Sequence, residues 1–96
     1  MTDAAITRDG AVFRVSGDLL FTTVRDLLHE GESLFSTGSE LVFDLSDVRH
    51  SDSAGLALLL EWLDRAEAAG VMLRFRNIPD SLVRIARLSN VEGLLA

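Results

Sequence analysis

Short apolar blocks separated by polar breaks run the length of the chain, and the period within each block predicts the element it forms. AAITR and AVFRVS are extended segments on either side of Asp9-Gly10, a dipeptide suited to a tight turn, so the chain is expected to open with a β-hairpin. Val24, Leu27, Leu28, Gly31, Leu34 and Phe35 then recur at helical spacing. Arg25, Asp26, Glu30 and Glu32 fill the rest of the turn, and Thr22 or Thr23 stands at the cap position. After Gly38, ELVFDL shows little alternation. That predicts a central strand covered on both faces, followed by a polar loop over SDVRHSD. The next helix is predicted over roughly Ala54 to Ala69, closed by Gly70 where a left-handed residue ends many helices. VMLRFRN alternates, with Val71, Leu73 and Phe75 on one face and Met72, Arg74 and Arg76 on the other. Pro79, Asp80 and Ser81 start a last amphipathic helix carrying Leu82, Ile85, Ala86 and Leu88, and the apolar ending VEGLLA is expected to pack down.

The order β, β, α, β, α, β, α, without repeats or linkers, predicts a single α/β domain over residues 1–96. Strands separated by helices imply right-handed crossovers and a mixed, mainly parallel sheet, with the hairpin as its antiparallel pair. A chain of 96 residues supports one modest core and leaves no room for an elaborate active-site cavity. The longest apolar stretch, Ala54 to Leu60, is cut by Glu61, far short of the roughly 20 residues of a membrane span. MTDAAITRDG has no basic region followed by an apolar core, so no secretory signal is read and the cytoplasm is the expected address.

Composition removes several kinds of chemistry. The absence of cysteine excludes disulfides and cysteine-based zinc sites or catalysis. His29, in a helical pattern, and His50, in the predicted polar loop, have no partner at metal-ligand spacing, so neither a metal nor a cofactor is expected. A net charge of −6 with nine arginines and no lysine makes the chain a poor ligand for a phosphate backbone. Arg74, Arg76, Arg84 and Arg87 lie in the last quarter, where they form either a local basic patch or the solvated faces of a strand and a helix.

What remains is the segment Asp52, Ser53, Ala54, Gly55 and Leu56, which opens directly into LALLLEWL and so places a hydroxyl at a helix start. Orphan amides and the positive end of the helix dipole meet there. Such a position takes a capping oxygen or a phosphate equally well, so Ser53 is either an N-cap or a switch. Along the helix Leu56, Leu59, Leu60 and Leu63 form one stripe, with Leu58 and Trp62 on an adjacent flank. That flank is either a docking surface next to Ser53 or the contact with a neighbouring helix. Ser53 has no histidine at triad spacing, and no glycine-rich phosphate loop follows a strand. Asp44, Asp47 and Asp52 read as loop and capping groups, so an enzyme is not expected.

The run DLSDVRHSDSAGLALLL, preceded by a strand and followed by a helix ending at Gly70, resembles the signature of STAS domains. That family includes sulfate-transporter cytoplasmic domains and anti-sigma-factor antagonists. The resemblance covers the whole chain, including SGDL at the end of the hairpin. It implies that Ser53, directly after the motif's acidic residue Asp52, is the functional hydroxyl, the one phosphorylated in antagonists. Antagonists usually carry Gly-Glu-Leu-Asp where this chain has Gly17, Asp18, Leu19 and Leu20, so the second acidic residue near the hydroxyl is missing. AGLALLLEWLDRAEAAG and IPDSLVRIARLSNVEGLL look most like the branch of small cytoplasmic subunits of an ABC transporter that maintains outer-membrane lipid asymmetry. By that resemblance the expected partner is the transporter's ATPase subunit, in a complex with an inner-membrane permease. The chain would then sit at the inner membrane through its partner, stabilising or regulating the ATPase. The alternative is an anti-sigma-factor antagonist switched by phosphorylation.

Overall fold

The computed structural model describes residues 4–95. The elements are β1 (Ala5–Asp9), β2 (Val12–Leu19), α1 (Val24–Glu32), β3 (Glu40–Ser51), α2 (Ser53–Ala68), β4 (Met72–Arg76) and α3 (Asp80–Leu88), with 3-10 turns at Ser33–Ser36 and Glu92–Leu95. The sheet order is β1-β2-β3-β4. β1 and β2 are antiparallel, and β2, β3 and β4 are parallel. This is the mixed, mainly parallel sheet with a leading hairpin that the hydrophobic pattern predicts. Asp9 pairs with Val12, so the hairpin turn is Gly10-Ala11, one residue later than Asp9-Gly10, and Gly10 takes the positive φ of 65° that the turn requires.

Strand order and helix placement leave the sheet with one covered face and one open face. Both parallel crossovers, β2-α1-β3 and β3-α2-β4, step in the same direction, and right-handedness puts α1 and α2 on the same side. Phe13, Val15, Leu19, Leu41, Phe43, Leu45 and Leu73 are buried beneath them. ELVFDL therefore lacks alternation for a reason other than the expected cover on both faces. Leu41, Phe43 and Leu45 face the helices, while Asp44 is buried on the other face by polar neighbours. Its carboxylate accepts hydrogen bonds from the Ser46 backbone N–H at 2.8 Å, from Arg76 at 2.9 and 3.2 Å, and from the Asn77 amide at 3.3 Å. Arg76 is also the strand partner of Asp44.

The predicted loop SDVRHSD is the largest departure in secondary structure. β3 continues through Ser51, so Asp47 and His50 lie on a strand, and only Asp52 separates it from α2. Arg14 pairs with Asp44 but Ser16 with Asp47, and Gly17 with Val48 but Leu19 with Ser51. β3 thus spends one extra residue at each of two bulges. The bulges break the alternation that would have betrayed a strand, and polar residues suit its open, solvated face. In the last quarter Leu82 and Ala86 pack as expected, but Leu88 is exposed because it sits at the end of α3, beyond the core. Of the ending, Leu95 is buried and Leu94 exposed. Gly70 has a φ of 75°, as expected of a residue that closes a helix.

Trp62 is the centre of the core and is fully buried. Its ring meets Phe43 edge-on at 5.0 Å and lies 6.4 Å from Phe75, while Phe13 and Phe35 flank Phe43 at 6.1 and 6.4 Å. The indole N–H donates to the Leu28 carbonyl of α1 at 3.2 Å. Gly31 admits the ring: a Cβ there would stand 2.5 Å from the indole nitrogen. The Leu58 and Trp62 flank of α2 is accordingly the contact with α1 and not an exposed docking face. A tryptophan next to an apolar helix finds its cheapest burial in the notch that a glycine leaves.

Trp62→Ala is expected to lower unfolding free energy in urea by about 3–5 kcal/mol. Gly31→Ala should cost about 1–3 kcal/mol in the parent by overpacking, and markedly less in a Trp62→Ala background, because the ring that the new methyl would strike is gone. An equal cost in both backgrounds would contradict the notch.

The polar bonds to Asp44, led by the Ser46 N–H, hold its carboxyl well below the usual carboxylate range despite its burial. A carboxyl with a lower folded than unfolded pKa stabilises the fold above its unfolded value, about 4, and that stability is lost as pH falls further. Asp44→Asn is expected to be less stable at neutral pH and to show a shallower loss of stability below about pH 4, measured by urea unfolding at stepped pH.

Candidate functional site

The site is built where β2 and β3 end and α2 begins. Asp52 lies between strand and helix in extended backbone, and its Oδ1 accepts the Ala54 N–H at 2.8 Å. The capping residue is therefore Asp52, and Ser53 is the first residue of the helix. Both types are good caps, and the sequence does not say which of two adjacent cap formers takes the position. The other carboxylate oxygen accepts the Phe21 N–H at 3.4 Å, and the Asp52 N–H donates to the Leu19 carbonyl at 3.2 Å. One residue thus ties the end of β2, the loop after it and the start of α2.

Gly55 makes that approach possible, since a Cβ on it would stand 2.9 Å from the Leu19 carbonyl oxygen and 3.0 Å from the Leu19 Cβ. Leu56, one residue on, is buried. Ser53 is exposed, and among the described residues its hydroxyl has no hydrogen-bond partner. Freed from capping, it points a hydroxyl at solvent from the first turn of a helix, where N–H groups and the dipole favour an acceptor or an anion. No group of three or more His, Cys, Asp and Glu side chains among the described residues is placed to hold a metal ion. His29 and His50 are both exposed, on α1 and at the end of β3.

A groove of about 740 Å³ runs from this end of α2 between α1 and α2. Phe21, Thr22, Val24, Leu28, Ala54, Ala57 and Leu58 line it, with Arg25, Asp26, Glu61 and Arg65 among its charged walls. Phe21 stands at its rim, 83% exposed. Sequence reasoning missed Phe21, because an aromatic residue before two threonines reads as the lead-in to a helix. The signal was its place outside every apolar period. Thr23 is the N-terminal flank of α1 but does not cap it with its side chain. Its hydroxyl instead holds the loop, donating to the Asp18 carbonyl at 2.6 Å and accepting the Leu20 N–H at 3.0 Å. Of the residues singled out from the sequence, Asp52, Ser53, Ala54 and Gly55 come together at this end. Leu58 reaches the groove as part of its floor, and Trp62 lies beneath α1.

The family model described as "Mlab, STAS domain" matches residues 2–96. The chain belongs to the STAS family. The anti-sigma factor antagonist SpoIIAA in its unphosphorylated form shares this fold with a TM-score of 0.71 at 16% identity, over 95% of this chain and 84% of that one. The phosphorylated form of the Bacillus cell fate determinant SpoIIAA aligns with a TM-score of 0.69 at 16% identity, covering 97% of this chain and 87% of its own. The crystal structure of Mglu matches with a TM-score of 0.60 at 22% identity over 79% of this chain and 19% of that one. No helix of the described residues is long and apolar enough to cross a membrane.

Asp52→Ala is expected to lose about 1 kcal/mol of stability, with the Phe21 loop released as well, whereas Ser53→Ala stays within about 0.5 kcal/mol of the parent. Thermal unfolding of both variants checks the assignment, and the reverse ranking would return the cap to Ser53.

Proposed function

We propose that this domain is a non-catalytic subunit that binds the cytoplasmic ATPase of an ABC transporter for phospholipids, in a complex with its inner-membrane permease, and stabilises or regulates that ATPase. The MlaB-type family match supports this reading, because proteins of that type serve such a transporter. The observation that carries it is the pairing at the start of α2 of an exposed, unbonded Ser53 hydroxyl with an exposed Phe21 beside an apolar-floored groove. Exposed aromatic side chains at the rim of a groove are typical anchors of protein interfaces. The surface offers contact and no reactive pair: Ser53 has no base bonded to it, and Asp52 is occupied by backbone N–H groups.

Calorimetric titration of the wild-type chain into the cognate transporter ATPase should show binding. Ser53→Glu, which puts a charge in the contact, and Phe21→Ala, which removes the anchor, should each weaken it by about tenfold. Ser53→Ala should bind nearly as the parent does. Wild-type affinity in both damaging variants would mean the ATPase docks elsewhere, and no heat with the parent would reject the ATPase as partner.

A phosphorylation-controlled antagonist of an anti-sigma factor is the second reading. The observation in its favour is the same free hydroxyl at a helix N-terminus, which is accessible to a kinase. Leu20, where antagonists usually carry an aspartate, weighs against it, since leucine neither orients a hydroxyl nor helps hold a metal-bound nucleotide. Incubation with the cognate anti-sigma kinase and ATP, followed by intact-mass measurement, would leave the mass unchanged on the first reading and add one phosphate on the second.

A further inference from the structure

The far end of α2 carries a second surface that the reading above does not use. Leu60 and Leu63 of α2, Val71, Met72 and Leu73 at the start of β4, and Leu94 of the C-terminal turn line an open groove of about 690 Å³. Met72 and Leu94 are 53% and 63% exposed, although both are large and apolar. Asp64 and Glu67 form part of its wall, and among the described residues neither carboxylate has an ion-pair or hydrogen-bond partner. Gly70, just past the end of α2, lines it too, so the negative end of the helix dipole adds to the two carboxylates. Arg65, the basic residue of the last turn, does not offset them, because it turns to the α1 side and bonds Glu32 at 2.7 Å and Glu61 at 3.0 Å.

The groove also reaches the β4 edge of the sheet, which no other strand of the described residues covers. β4 is the last strand of the sheet. The Met72 N–H donates to Ser39 on the β3 side at 2.8 Å. By the alternation of a parallel ladder, the N–H and C=O groups of Leu73 and Phe75 face outward. A second copy of the chain is a poor occupant. An antiparallel pairing along the whole of β4 is centred on Arg74 and sets Arg74 against Arg74, and the acidic wall repels its like.

We propose that this groove and edge bind an extended segment of a partner protein, with apolar side chains at its centre and arginine or lysine beside them. The backbone of the segment adds a strand to β4 through Leu73 and Phe75. Its apolar side chains cover Leu63, Met72 and Leu94, and its basic residues meet Asp64 and Glu67.

The test uses the isotope-labelled full chain and a short capped peptide with a leucine and valine core bracketed by arginines. Amide shifts in the heteronuclear spectrum are expected at Leu73, Phe75, Leu63 and Leu94. The Asp64→Arg, Glu67→Arg double variant should bind about tenfold more weakly with its spectrum otherwise preserved. The same peptide bracketed by glutamates, or with N-methylated core amides, should shift these amides little. Shifts that gather instead at Phe21 and Ser53, equal binding of the glutamate or N-methylated peptide, a wild-type affinity in the double variant, or no shifts at all would each overturn the proposal. Because Ser53→Glu leaves this groove intact, it should bind the arginine peptide as the parent does. Failure here and failure of the ATPase reading can therefore be told apart.

Discussion

The rest of the fold depends on the indole of Trp62 lying in the notch of Gly31. An aromatic side chain of that size, wholly buried in a 96-residue chain, fixes whatever it touches, and here it touches both layers. Its ring sits against Phe43 of the central strand and Phe75 of the edge strand, while its N–H is satisfied by the carbonyl of Leu28. A buried indole N–H left without a partner would be costly, so the hydrogen bond adds to the packing in holding α1 against α2. The interhelical groove beside Ser53 lies between those two helices. Its floor, Leu28 and Leu58, belongs to the two helices that the indole joins.

At the start of α2 a different constraint presents the hydroxyl. Gly55 lets the helix touch the end of β2, and Asp52 fastens the junction with its backbone N–H and both carboxylate oxygens. Because Asp52 does the capping, Ser53 is released from any structural duty. A serine that capped its own helix would have its oxygen directed inward and occupied. The division of labour between adjacent residues, one structural and one presented, is what turns a common helix start into a candidate contact site.

Much of this was legible in the sequence, and the failures share a cause. Helical and strand periods located each α-helix and strand of the described residues, and the Asp52 to Leu56 segment marked where Asp52, Ser53 and Gly55 come together at the start of α2. Sequence pattern failed where one residue's neighbours come from another element. The polar run after Leu45 belongs to a strand because bulges and an open sheet face suit polar residues, and neither is visible in a one-dimensional period. Asp44 read as a loop group, yet Arg76 and Asn77, more than thirty residues away, make it a buried acceptor. The flank of Trp62 could have faced a partner or α1, and the deciding fact was Gly31, whose missing side chain says nothing until the helices are side by side. Phe21 was overlooked for the opposite reason, since it is mostly exposed and so belongs to no period.

The charge on α2 separates its two ends. At the N-terminus a carboxylate in the cap complements the dipole, which is the stabilising arrangement. At the other end Glu67 lies in the last turn and Asp64 just before it, and among the described residues neither carboxylate has a basic partner; an acidic group in the last turn costs the helix rather than helps it, by about 0.3–1 kcal/mol for an exposed charge. An arginine is within the same turn, but it is directed to α1, where it holds Glu32 and Glu61. One face of α2 is committed to the core through Leu59, Trp62 and Ala66, while Ala57, Glu61 and Asp64 stay exposed along its length. An uncompensated acidic wall beside exposed Met72 and Leu94 is hard to explain by folding alone, because both features oppose it. Complementing both at once takes a ligand that is apolar at its centre and positive at its margin.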